Sequence, residues 1–97
     1  MDLKELRFEI DKIDDELIRL FDKRMDLSVK VALYKLQKGL PVYDPVREQE
    51  ILEKLSGKVS EGRRESVVAM YRLLFELSRA EQEVIFSDAG DCGSSPQ

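Results

Sequence analysis

The chain has 97 residues, enough for one domain with a modest core. Twenty acids against 16 bases give a formal charge of −4, and no tract is strongly basic, which sets nucleic acid aside as a partner. There is no histidine and a single cysteine, Cys92, so a typical zinc site, a histidine general base, a Ser–His or Cys–His nucleophile and an internal disulfide are all excluded.

Any chemistry must therefore run on carboxylates, cations and amides. No apolar run approaches ~18 residues, so no membrane span is expected. The charged start does not read as a signal peptide, and the lone cysteine suits a cytoplasmic setting.

Asp2 is placed to cap a first helix, with Glu5 at its third position. Apolar residues then recur at 3, 6, 10, 13, 17, 20, 27, 31 and 34, in steps of mostly three and four. The stripe runs without glycine or proline to Lys38, where Gly39 and Pro41 end it. A helix of that length spans about 54 Å. A compact domain of this size has a radius of gyration near 13 Å, so the helix outruns any globule its own chain can build. Because it is apolar along its length, a second chain is expected to cover the overhang.

Two cations interrupt the stripe. Arg24 lies on it, and Lys35 falls within about 20° of Arg24 and ~16 Å further along the axis. Neither belongs in a core without an anion, and Asp14 only reaches the edge. The simplest account is that the anions arrive with a ligand.

Asp44-Pro45 opens a second helix, with an Asp cap followed by Pro at the first position. Ile51, Leu52 and Leu55 give it one apolar face, and Gly57 closes it. Ser60 is placed to cap a third helix running to about Phe86, with Val67, Met70, Tyr71, Leu74, Leu77 and Ile85 on its apolar face. Ser78 and Gln82 project from the same side, one turn apart. Residues 1–86 thus read as the domain. Residues 87–97, rich in Gly, Ser and Asp, read as a disordered tail or the start of a linker. No strand-like alternation occurs, so the fold class is all-α, three helices with one very long.

The polar candidates are Arg7, Arg24, Lys35, Asp44, Arg47, Glu48, Ser78 and Gln82. Each has a plainer reading. Arg7 can pair with Asp11, and Arg24 and Lys35 can extend their heads to water. Asp44 can act only as a cap, and Arg47 and Glu48 can be a solvated helix pair. Ser78 and Gln82 can be satisfied by backbone or water. Together they place cations and amides on apolar faces of two long helices that must pack, which describes a polar pocket inside a bundle.

In order and spacing these segments resemble the all-helical chorismate mutases, the class often fused to prephenate dehydratase or prephenate dehydrogenase. The matching pieces are Leu6-Arg7 through Ile13-Asp14, Leu20 through Arg24, Lys35, Pro41-Val42 through Asp44-x-x-Arg47-Glu48, and Ser78-x-x-x-Gln82. The resemblance implies an intertwined helical homodimer with two shared pockets. It implies an intramolecular [3,3] rearrangement of chorismate to prephenate without cofactor or metal. By the same resemblance Arg24 clamps one carboxylate, and Arg7, donated by the partner subunit, clamps the other side of the dianion. Lys35 and Gln82 donate to the ether oxygen, and Glu48 accepts from the ring hydroxyl. Asp44 helps bind that end, Arg47 borders the site and balances the acids, and Ser78 bonds a carboxylate.

Three other readings stay open at this point. They are an isochorismate–pyruvate lyase, a module that binds prephenate for an associated downstream enzyme, and a non-enzymatic dimerisation module whose polar residues only fix register.

Overall fold

The computed structural model describes the backbone of residues 1–94 and the side chains of residues 1–89. Three helices account for nearly all of it: α1 spans Leu3–Lys38, α2 Pro45–Ser56 and α3 Arg64–Ser94. A 3-10 turn over Glu61–Arg63 leads into α3.

The first helix is set by its two ends. Asp2 accepts from the Glu5 N–H at 2.8 Å, satisfying one donor that the opening turn leaves unpaired. At the other end Gly39 adopts φ 71°, the left-handed geometry that a side chain disfavours. Its N–H bonds Leu36 O at 3.4 Å while Leu40 N–H bonds Lys35 O at 2.8 Å. This paired closure is the Schellman arrangement. It turns the chain toward Val42 and Asp44.

Asp44 accepts from the Arg47 N–H at 3.1 Å, so its cap role is real, and Pro45 occupies the first turn. Ser60 makes no side-chain cap. Its carbonyl instead accepts from Arg63 N–H at 2.9 Å, which tightens the entry to α3 into a 3-10 turn. The third helix continues to Ser94 rather than stopping near Phe86, and the last part of the expected tail lies outside the described residues.

The third helix packs against both others, but the core they enclose is small. Ala32, Leu52 and Phe75 are its buried apolar residues. Ser28, Ser78 and Gln82 are buried to the same degree. Meanwhile Leu6, Ile10, Ile13, Leu17 and Leu20 all stand exposed along α1, Ile13 at 58% and Leu17 at 53%. The radius of gyration is 17.8 Å and the longest dimension 66 Å. Both exceed what a compact chain of this length shows. No helix among the described residues is long and apolar enough to cross a membrane.

Candidate active site

The buried polar residues mark a cavity of about 310 Å³ where α1, α2 and α3 meet. Seven of the eight residues singled out in the sequence line it: Arg24, Lys35, Asp44, Arg47, Glu48, Ser78 and Gln82. Its size is at the lower end of small-molecule sites. A larger hollow of about 780 Å³ runs along the first turns of α1 beside Arg7 and Phe8. Apart from Met1, all its lining residues belong to α1, so it is open surface and not an enclosed site.

Arg24 enters from α1 and is held on two sides. Its guanidinium donates to Ser78 Oγ at 3.1 Å. Its central carbon lies 5.8 Å from the Tyr71 ring centre and 5.9 Å from that of Phe75. Those two rings meet edge to face on α3, so the cation rests on a fixed aromatic corner. One N–H is engaged and the rest of the guanidinium fork remains to bind a planar anion.

Lys35, three turns on, donates its Nζ to Val42 O at 2.8 Å. The closure at Gly39 brings that carbonyl back to the lysine, and two of the ammonium's three donors remain. Neither Arg24 nor Lys35 pairs with a carboxylate among the described residues. The unanswered charge inferred from the stripe is therefore present in the folded chain.

Gln82 is 6% exposed, and its Nε2 donates to both Ser28 O at 2.9 Å and Ser28 Oγ at 3.0 Å. Ser78 and Gln82, i and i+4 on α3, thus face two residues that are also i and i+4 on α1, Arg24 and Ser28. Ser28 was not singled out in the sequence, because one small hydroxyl near an apolar stripe is an ordinary core residue. Its spacing from Arg24 is the signal that could have found it.

At the α2 end, Glu48 accepts a short hydrogen bond from Arg79 Nη1. This pair bridges α2 and α3. Nothing in the sequence marks Arg79, since a cation next to Ser78 in a long helix looks solvated. The hydrogen bond to Glu48 holds the Arg79 guanidinium above its ordinary pKa, against the opposing effect of burial. Arg47 lines the cavity, but its guanidinium lies 3.8 Å from Glu50 on the exposed side of α2.

Arg7 is the one candidate that the chain does not bring to the cavity. It precedes Arg24 on the same continuous helix by about 26 Å along the axis, beside the hollow at the N-terminus.

A family model described as chorismate mutase type II matches residues 6–83. The chorismate mutase of Methanocaldococcus jannaschii is 31% identical over 83 residues, covering 84% of each chain. The bifunctional chorismate mutase/prephenate dehydratase of Aquifex aeolicus is 46% identical over 54 residues, which is 56% of this chain and 15% of that protein. The T-protein of Haemophilus influenzae is 53% identical over 51 residues, 53% of this chain and 14% of that one. The chain thus spans only about one seventh of the length of these last two relatives. No solved structure matches the chain significantly.

Proposed function

Because the chain belongs to the chorismate mutase type II family, we propose that its polar cavity binds chorismate and rearranges it to prephenate. One observation carries this reading above the rest. Two cations and a buried amide converge on one cavity, and neither cation has a carboxylate partner among the described residues. A dianionic ligand supplies what is missing.

Arg24 takes one carboxylate through its free fork, with Ser78 beside it. Lys35 keeps its bond to Val42 O and turns its other donors to a carboxylate and the ether oxygen. Gln82 exchanges one of its two Ser28 bonds for the same oxygen. Glu48 accepts from the ring hydroxyl, with Asp44 and Arg47 bordering that end. Carbon–oxygen cleavage runs ahead of carbon–carbon formation, so negative charge grows on the ether oxygen. Donors already aimed there stabilise the transition state more than the ground state. The cavity walls, including Val31, Ile51 and Phe75, hold the substrate's side chain over its ring. No proton or covalent bond to the protein is needed, so the lack of histidine is no obstacle. Incubation with chorismate should yield prephenate, whereas release of pyruvate from isochorismate would mark a lyase instead.

The functional unit in this proposal is an intertwined homodimer. The exposed apolar stripe on α1 supports it, because a face of that length does not stay in water as a monomer. Sedimentation at micromolar concentration should show a dimer, and a stable, fully active monomer would contradict it. The dimer also answers the position of Arg7. A residue about 26 Å from Arg24 along one rigid helix cannot bind the same small molecule as Arg24, so Arg7 serves the partner's cavity. Arg7→Ala and Arg24→Ala chains, each inactive alone, should regain partial activity when refolded together, since one cavity of the heterodimer then holds both arginines. Proven heterodimers without activity would exclude a shared site.

We place the catalytic domain at residues 1–86, in keeping with a family match that ends at residue 83, with the helical end of α3 up to Ser94 as the start of a tail or linker. The fused mutase/dehydratase of Aquifex aeolicus makes a downstream or associated enzyme a reasonable partner.

A further inference from the structure

The cavity holds one ion pair that the rearrangement itself does not call for. Arg79 reaches across from α3 to Glu48 on α2. The two side chains are only 27% and 23% exposed, unlike the Arg19–Glu16 pair at 56% and 64%. The Arg79 guanidinium also lies 5.0 Å from the Tyr43 ring centre, so it is held from below as well as at its tip.

At this end of the cavity Glu48 is answered by Arg79, while the Arg47 guanidinium lies 3.8 Å from Glu50 on the exposed side of α2. A carboxylate bonded to one guanidinium still has free lone pairs, so Glu48 can accept from a neutral hydroxyl. A cationic substituent gains much less, because the fixed charge of Arg79 lies beside the acceptor it would use. We propose that Arg79 is a specificity-determining residue, which by neutralising Glu48 makes this end of the cavity select a ring hydroxyl over a ring ammonium.

The inference rests on the reading of the cavity as a chorismate site, and its test separates the two. The dimeric protein is assayed at neutral pH with chorismate and with 4-amino-4-deoxychorismate, whose amine is then largely protonated. The parent should favour chorismate in kcat/KM. Arg79→Gln leaves one uncompensated anion, so the ratio should move toward the amine by about tenfold or more. Arg79→Met should move it the same way. Arg79→Lys, which keeps the charge, should stay near the parent's ratio. In a Glu48→Gln background the Arg79→Gln shift should largely disappear, because the charge being answered is gone. A purely structural arginine would slow both substrates alike in every variant. A ratio unmoved in both Arg79→Gln and Arg79→Met, with the parent active on chorismate, overturns this inference alone. A parent that turns over neither substrate overturns the proposed function and this inference with it.

Discussion

Lys35→Ala is expected to lose at least about 100-fold in kcat, the scale of removing one donor from a developing oxyanion. The lysine enters the cavity from α1 with one proton bonded to Val42 O and two unassigned. Those two are the donors that meet charge as it grows on the ether oxygen. The loss should fall on kcat more than on KM, because Arg24 still grips the substrate and the missing bond strengthens chiefly in the transition state. Folding should survive. The side chain is half-buried with no acidic partner among the described residues, so its removal strands no buried anion there. Val42 is itself only half-buried, so its carbonyl can turn to water. Circular dichroism and sedimentation check the fold while single-turnover kinetics read the chemistry. Near-normal turnover in a folded dimer would reject Lys35 as a donor to the reacting oxygen.

The second large effect is a change of pH profile. A neutral amide donates at every ordinary pH, so the parent's activity should not need acid. In Gln82→Glu the new carboxyl donates only while protonated. Ionised, it offers lone pairs to an oxygen gaining negative charge and repels the substrate's carboxylates. Activity should therefore be present at acidic pH and fall as pH rises through the carboxyl's pKa in the complex. Burial at the Gln82 position and the bound dianion both raise that pKa, while Lys35 lowers it; the raising effects are expected to win. A carboxyl whose folded-state pKa is raised also lowers stability as pH climbs past its unfolded value, so folding must be checked at each pH. If the variant follows the parent's profile at similar rates, Gln82 does not touch the reacting oxygen.

Legibility in the sequence followed the range of the interaction. The ends of α1 and α2 were readable because Asp2, Gly39, Asp44 and Pro45 act within a few residues of themselves. The cavity was readable in outline because helix periodicity placed Arg24 and Lys35 on an apolar stripe, and Ser78 and Gln82 one turn apart. What escaped was tertiary. Nothing in local spacing says that Arg79 meets Glu48, since the contact depends on how α2 crosses α3. The resemblance implies that Arg47 borders the site and balances the acids; the residue does line the cavity, while its guanidinium lies 3.8 Å from Glu50, a direction that local spacing does not set. Ser28 was hidden by its size. At Ser60 the residue type suggested a cap, but the chain uses the serine's carbonyl and not its hydroxyl. Arg7 was legible as a candidate at the stripe's edge, and its service to a partner's cavity only through the resemblance; the length of α1 is what keeps it from its own chain's cavity.

The central claim is that the unanswered cations of this cavity exist for chorismate. Its most direct test is the fall in chorismate's ultraviolet absorbance on adding the purified dimer, with prephenate identified as the product and Arg24→Ala run alongside. Catalysed loss of chorismate, with prephenate formed in equal amount and the Arg24→Ala protein folded but nearly inactive, is the expected result. A folded dimer that leaves chorismate decaying at its uncatalysed rate, or an Arg24→Ala protein as active as the parent, would contradict it.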